Sequence, residues 1–468
     1  MRHESVPPAL KRRMSARVAA PCTMVLILFW GSATGALLAQ DNNPPAPLPK
    51  SALQIRTVSA YAVYDSTFVP NGSAGGFQAG SATLPSDVGG GGSIVFGWTK
   101  FTERSTFSLN YTPSYTGYFR YSSLNALNHA VSLTTNRKIT PQWTLGFSAA
   151  GDLSSLAQSL FSPTTLSNVA SVPATFDDLA AAMLSAKFTN NPQLGAILTT
   201  SPLVESPLRN LFYGQRMFTS SAQASLSYSY SPRLSVTFNG GGSRTQHVAD
   251  NQASNTGNLS VIPNTTSGTA SVGISYSLSP LTQLGGTVTT NRTSSSIYDA
   301  YTTTSLATLG RTLQRRWLVQ LHGGVGMTTV RQTSFVVPTT PRPVIGGGLG
   351  YKTFSHTFLG SYEHAVSDSY GLGSSTSSSA TASWHWARPG SSWSLNSSFA
   401  WQQLQGNALA NTSGWQATVG LSRALAAHMV LLTQYVYLKY SGGLQAPAYG
   451  FSQSAVRVSV AWNPQASL

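Results

Sequence analysis

The chain has 468 residues, of which 9% are charged, and its 28 basic residues outnumber its 13 acidic residues to give a net charge of +15. Soluble domains carry about 25% charged residues, so this composition is not typical of a protein that stays in water. The single cysteine, Cys22, lies in the first forty residues, so the rest of the chain excludes a disulfide framework, a thiolate zinc site and a cysteine nucleophile.

The first forty residues have the organisation of an export signal. Basic residues precede an uncharged apolar run from Met24 to Leu38. Small residues at Ala36 and Ala39 suit cleavage before Asp41, so the pattern predicts a signal peptide over 1–40. The alternative, a membrane anchor, needs about 20 apolar residues, and this run is shorter. Five of the 28 basic and one of the 13 acidic residues lie here, which leaves a mature net charge of +11.

After a proline-rich periplasmic linker, predicted over 41–53, apolar and small polar residues alternate with a period of two. In one example, Val272, Ile274 and Tyr276 alternate with serine and glycine. Such alternation puts one set of side chains on each face of a β-strand. No run after residue 40 approaches the ~18 apolar residues of a membrane helix. A membrane protein without spanning helices must be a closed barrel, because only closed strands satisfy every backbone group in lipid.

The alternating segments predict an all-β transmembrane barrel of eighteen antiparallel strands over 54–468. Short connections alternate with longer polar loops, a pattern typical of outer-membrane barrels with periplasmic short turns. An even strand number places both termini on the periplasmic side. Sixteen strands would follow if the weaker segments 281–291 and 300–312 were not strands. The predicted strands are 54–64, 90–101, 105–117, 126–137, 142–151, 216–230, 233–244, 267–278, 281–291, 300–312, 316–328, 344–354, 357–366, 375–386, 392–403, 413–423, 428–440 and 452–462.

Tryptophan gives an independent indication of membrane position, because its ring favours the lipid–water boundary. Seven tryptophans lie beside predicted periplasmic turns or at the end of the last strand. They are predicted to form an aromatic girdle and are Trp98, Trp143, Trp317, Trp384, Trp386, Trp393 and Trp462. The alternation of the last strand also predicts that Val458 faces lipid, whereas Arg457 and Ser459 face the lumen.

Over about residues 51–468, this architecture resembles that of the general bacterial porins. The longest connection, 153–215, follows the fifth strand, and the resemblance implies that such a loop folds into the barrel and narrows it. Within it, 175–188 has the pattern of a short helix with acidic residues in its first turn and a lysine in its last. A lid over the barrel mouth is the alternative. The candidate pore and constriction residues are Asp177, Asp178, Lys187, Glu205, Arg209 and Arg457.

The charges of the mature chain are unevenly distributed. Basic residues such as Arg104 and Arg233 lie near predicted short turns, whereas nine of the twelve acidic residues, among them Asp65, Asp87 and Asp152, fall in predicted outer loops. One interpretation is a positive field that draws anions through the inner mouth. The alternative is solvated rim charge or attraction to lipid phosphates. The arginines are too dispersed to predict a nucleic-acid site.

The sequence contains no arrangement of residues typical of catalysis, cofactor binding or metal binding. The one local cluster of candidate metal ligands is His356, Glu363, His364 and Asp368. Its neighbours Glu363 and His364 are expected to point to opposite faces of one strand, whereas a metal needs convergent ligands. No Gly-x-Ser-x-Gly motif marks a hydrolase nucleophile. We therefore expect a protein that is not an enzyme and that needs no cofactor.

Taken together, these patterns predict a porin-like outer-membrane channel for passive diffusion of small hydrophilic solutes, with an anion bias. The alternative function is a non-conducting surface or assembly barrel whose outer loops bind partners, and a barrel enzyme is the third. The expected partners are outer-membrane lipid and lipopolysaccharide, the barrel-assembly machinery and small solutes. The resemblance to porins implies a trimer as one possible oligomeric state.

Overall fold

The computed structural model describes residues 51–66, 86–122, 125–155, 216–248, 264–295, 298–314, 316–332, 336–368, 374–388, 390–406, 412–442 and 449–464. They form eighteen β-strands: β1 Ser51–Asp65, β2 Asp87–Phe101, β3 Ser105–Tyr118, β4 Ala126–Lys138, β5 Trp143–Ser155, β6 Arg216–Ser229, β7 Leu234–His247, β8 Thr265–Ser279, β9 Thr282–Ser295, β10 Tyr298–Leu313, β11 Trp317–Gln332, β12 Val336–Lys352, β13 His356–Asp368, β14 Ser374–Ala387, β15 Trp393–Gly406, β16 Thr412–Ala426, β17 Met429–Gly442 and β18 Tyr449–Trp462. Within these ranges, no helix is both long and apolar enough to cross a membrane.

The strands form one closed antiparallel barrel. Each strand pairs with its neighbours in the chain, and β1 also pairs with β18, from Val58 opposite Trp462 to Asp65 opposite Ala455. The predicted number of eighteen strands is therefore confirmed, including the two weaker segments, which are β9 and β10. Eighteen strands spaced about 4.8 Å apart and tilted by about 40° enclose a backbone cylinder roughly 35 Å across.

The two ends of the barrel differ in their connections. At the end that we call the short-turn end, the links from β2 to β3, β4 to β5 and onward to β16 to β17 contain two to five residues each. The opposite end, the long-loop end, carries the three longest connections, which follow β1, β5 and β7. β1 starts and β18 finishes at the short-turn end, as an even number of antiparallel strands requires.

The two faces of the wall differ as the period-two pattern predicts. On β18, the side chain of Val458 is 42% exposed, whereas Ser459 is 3% exposed. The same alternation places large apolar side chains on the outer, convex face of the other strands, while many serine, threonine, asparagine and glutamine side chains lie buried on the concave inner face. The barrel is therefore apolar outside and largely polar inside.

One predicted strand boundary was wrong by more than four residues. β12 begins at Val336 instead of the predicted 344. The additional segment contains prolines at 338, 341 and 343, which are uncommon within strands. In the structure, β12 pairs with β13 only from Ile345 to Lys352, so the described part of β12 before Ile345 pairs with β11 alone. A strand with one paired edge tolerates proline, whose missing N–H can face the other side. β1 also begins at Ser51, inside the predicted linker, of which 41–50 lies outside the described residues.

The assignment of faces can be tested by adding a charge on either side of β9. Val288 is exposed on the outer face, and Thr287 precedes it on the inner face beside Gly273. Val288→Lys should lower the free energy of unfolding by about 2 to 4 kcal/mol, because an ammonium group then faces hydrocarbon near the bilayer midplane. Thr287→Lys is the matched control and should cost much less. Urea unfolding in lipid vesicles measures both, and equal losses would contradict the assignment.

Candidate channel lumen

Hydroxyl and amide side chains pair across neighbouring strands on the inner face. The hydroxyl oxygens of Ser235 and Ser275 lie 2.7 Å apart, as do those of Ser243 and Ser267. Between them, Asn239 donates its Nδ2 hydrogen to Ser271 Oγ at 3.1 Å. Similar pairs join Ser59 to Ser93, Thr302 to Thr328 and Ser361 to Thr381. These contacts make a polar inner wall in which many hydroxyl and amide groups pair with a neighbouring strand.

A β-bulge turns an arginine into the barrel near the short-turn end. The register of β1 against β2 shifts between Ile55 and Thr57, so Arg56 is the extra residue. The Arg56 guanidinium donates to Thr99 Oγ1 and, at 3.5 Å, to Ser108 Oγ, both on the inner face. A Cβ atom on Gly97 would overlap the Arg56 side chain, so the glycine leaves room for the arginine in this position.

Arg56 was not predicted as an inward residue, because the change of phase in β1 is visible only in the exposure of its side chains. In the first part of β1 the exposed apolar residues are the odd-numbered Leu53 and Ile55, whereas Tyr64 further along is even-numbered. A change of phase by one residue within a strand is what a bulge produces, since two residues then oppose one on the partner strand.

The line where β1 meets β18 carries a group of interacting side chains on the inner face. We call Tyr61, Asp65, Tyr118, Gln453 and Arg457 the seam cluster. Arg457 is 4% exposed, and its Cζ atom lies 3.7 Å from the centre of the Tyr61 ring, which is a cation–π contact. Tyr118 donates its hydroxyl hydrogen to Asp65 Oδ2 at 3.0 Å, and Gln453 Nε2 donates to Asp65 Oδ1 at 3.5 Å. The cluster therefore links β18, β1 and β3.

Glycines of β2 make room for the aromatic rings of this cluster. A Cβ atom on Gly91 would lie 2.7 Å from two atoms of the Tyr61 side chain, and one on Gly89 would lie 2.9 Å from Tyr118 Cδ1. Both rings therefore lie directly against the backbone of β2. This close approach explains Gly89 and Gly91, the two glycines of the run Gly89–Gly92 that face the rings.

Four inward acidic residues lie in one half of the barrel. Asp65, Asp87, Asp152 and Glu363 lie on the inner face in the half nearer the long loops. The prediction that Asp65, Asp87 and Asp152 belong to loops was wrong, because the strands extend further than the alternation indicated and contain all three. Glu363 Oε1 lies 3.6 Å from His322 Nε2.

The seven tryptophans predicted to form a girdle lie in the described part of the chain, whereas most of the predicted constriction residues do not. The seven tryptophans all lie on outward-facing positions close to the short-turn end, and Trp143 and Trp317 pack on Tyr228 and Tyr351 with ring centroids 4.5 and 4.2 Å apart. Their role at the lipid boundary stays a prediction. Arg457 lies on the inner face as expected. The other candidates, Asp177, Asp178, Lys187, Glu205 and Arg209, lie outside the described residues, with most of the loop 153–215.

No group of three or more His, Cys, Asp or Glu side chains that could hold a metal ion occurs in the part of the chain that the structure describes. Glu363 pairs with inward Ser379, whereas His364 pairs with Ile345, which is exposed on the outer face. The two side chains therefore point to opposite faces, as the sequence predicts.

Comparison with known proteins gives structural likeness only. No protein-family model matches the sequence, and no curated protein does. Among solved structures, OccK9 (OpdG) of Pseudomonas aeruginosa aligns over 87% of this chain and 98% of its own, with 10% identity and a TM-score of 0.43. OpdQ of the same organism aligns over 88% and 97%, with 8% identity and a TM-score of 0.43. A BenF-like porin from Pseudomonas fluorescens Pf-5 aligns over 87% and 98%, with 9% identity and a TM-score of 0.42.

The contribution of the seam cluster can be measured by removing one hydroxyl group. Tyr118→Phe leaves a buried Asp65 oxygen without its tyrosine donor, which should cost about 1 to 3 kcal/mol of unfolding free energy. Tyr115→Phe, on the outer face of the same strand, is the matched control and should cost much less. Urea unfolding of both variants, followed by tryptophan fluorescence, makes the comparison. Equal stability of the two variants would show that the seam cluster does not stabilise the barrel.

Proposed function

We propose that the protein is a passive diffusion channel of a Gram-negative outer membrane, exported by the signal peptide 1–40. The observation that supports this most directly is the combination of a closed eighteen-strand wall, an apolar outer face and a hydrogen-bonded polar inner face. Barrels of sixteen to eighteen strands are wide enough to leave an aqueous channel unless another segment fills them.

The length of the strands suits this location. They contain 13 to 17 residues. About 14 residues at about 3.3 Å each, tilted by about 40°, reach roughly 35 Å along the barrel axis. This exceeds the apolar band of about 25 Å on outer-membrane barrels. The excess leaves both strand ends outside the hydrocarbon, where the girdle tryptophans and the rim charges would meet lipid headgroups.

In the proposed orientation the short-turn end and both termini face the periplasm, and the long loops face the cell exterior. The loop 153–215 then follows β5 on the outer side, where it would act as the constriction or as a lid. Small hydrophilic solutes are the proposed cargo, because the inner wall offers them hydroxyl and amide groups for hydrogen bonding.

The channel is tested by planar-bilayer conductance of the refolded protein. Stable ohmic steps are expected from an open pore, whereas a silent but correctly folded barrel would favour the alternative of a surface or assembly barrel that binds partners through its loops. Deletion of residues 160–205 should raise the single-channel conductance if the long loop narrows the bore. An unchanged conductance would place this loop outside the conduction path.

An anion bias is the finer part of the proposal. The inner face carries Arg56 near the short-turn end, and Arg457 adds a second positive charge further along the wall. Cations on the wall raise the local concentration of anions at the entrance, and the inward acids lie nearer the opposite end. Solutes with a carboxylate or phosphate group would then enter the short-turn mouth more readily than neutral solutes of equal size.

Selectivity provides the measurement. Arg56→Gln should shift the zero-current potential in a salt gradient toward cation preference, because it removes an inward positive charge. Arg311→Gln removes the same charge from the outer face at the same end and should leave the potential unchanged. A wild-type pore that prefers cations would refute the anion bias and leave the channel intact.

A further inference from the structure

Two arginines flank a tyrosine on the outer face of the barrel, at the long-loop end of β9, β10 and β11. Arg292 pairs with Tyr301 across the strands, and Arg331 pairs with Asp299. The Cζ atoms of Arg292 and Arg331 lie 5.2 and 6.0 Å from the centre of the Tyr301 ring. We call Arg292, Asp299, Tyr301 and Arg331 the arginine–tyrosine patch.

The patch keeps a positive charge on the surface. Asp299 is its one carboxylate, and Asp299 Oδ2 lies 3.6 Å from Arg292 Nη2. The Arg292 side chain is still 56% exposed. Two guanidinium groups present ten N–H donors in planar forks, which is more than a single carboxylate can accept. The patch therefore has donors to offer to a second anion.

The position of the patch decides what this anion can be. Toward the middle of the barrel, the next outward residues are Thr290, Thr303 and Thr329. Beyond them, the outward side chains include Val288, Val325 and Met327, which are exposed and apolar. An outward arginine costs about 2 to 4 kcal/mol at the bilayer midplane and about 0 to 1 near the interface, so the patch belongs at the edge of the hydrocarbon. At that depth the neighbouring anions are lipid headgroups.

A third arginine extends the same surface. Arg244 of β7 lies on the outer face at the same end, opposite Thr266 of β8, and the neighbouring Gly268 lies opposite Arg292 of β9. β7 and β9 are two strand spacings apart, which is about 10 Å. The outward residues between them, Thr266 and Gly268, are short, and a Cβ atom on Gly268 would meet no atom within 4 Å. A headgroup with more than one anionic group has room between these arginines.

We propose that the arginine–tyrosine patch binds a phosphate group of the outer-leaflet glycolipid, lipopolysaccharide. This inference rests on the proposed function, because it requires the long-loop end to face the cell exterior. Arginine forks form paired hydrogen bonds with phosphate oxygens, and the Tyr301 ring holds both guanidinium groups by cation–π contacts. Binding at this place would fix lipid molecules to one sector of the barrel, around β9 to β11.

The test measures binding of purified bisphosphorylated lipid A to the detergent-folded protein by native mass spectrometry. Replacing both Arg292 and Arg331 by Gln should weaken binding at least tenfold, because two charge-assisted contacts are lost. Arg311→Gln removes an outward arginine at the opposite end and should bind as the wild type does. Equal affinity of the double variant and the wild type would overturn the proposal.

Two further arms identify the ligand and separate this proposal from the channel. Lipid A stripped of its phosphates should bind the wild type as weakly as the double variant does, and equal binding of both lipids would overturn the phosphate assignment. Inorganic phosphate at the same phosphorus concentration should not displace the lipid; displacement would indicate a site for the free ion and overturn the proposal. The double variant should conduct normally, so its conductance reports on the pore and its lipid affinity on the patch.

Discussion

The structure depends on one constraint, which is that backbone N–H and C=O groups placed in hydrocarbon must all find partners. An unpaired group there costs several kcal/mol, so a sheet in a membrane must close. The pairing of β1 with β18 provides this closure. Where the described part of β12 before Ile345 pairs with β11 alone, it lies at the long-loop end and carries prolines, which have no N–H group to leave unpaired.

Closure also accounts for the least regular part of the inner wall. Most side-chain pairs on this face join adjacent strands, as Ser235 and Ser275 do. At the seam, Tyr118 of β3 reaches past β2 to Asp65 of β1, and it can do so because β2 has no side chain at Gly89. The seam cluster thus adds buried hydrogen bonds where the sheet has its most distant partners in sequence. The arginine–tyrosine patch lies on other strands and on the other face, so lumen and lipid contacts are built independently.

The sequence alone predicts the fold well, because strand alternation has a period of two and reports directly on which face meets lipid. The strand number, the closed barrel and the opposite faces of Val458 and Ser459 follow from it. The inward position of Arg56 was not predicted, because a bulge shifts the alternation by one residue inside β1. The start of β12 was not predicted either, because its first part contains prolines, which are uncommon within strands. The seam cluster could not be predicted, since it requires knowing that Asp65 and Gln453, 388 positions apart, become neighbours. The predicted constriction residues in 153–215 lie outside the described part of the chain.

The seam also has a consequence for how the chain folds. Every other strand pair joins segments that are consecutive in the chain, whereas the β1–β18 interface joins the two ends of the barrel. Contacts of such long sequence separation carry the largest loop-closure entropy and form late. Until then, β1 and β18 are open sheet edges that can accept strands from other chains. The chain therefore needs an assembly intermediate in which the open edges of β1 and β18 are shielded from strands of other chains.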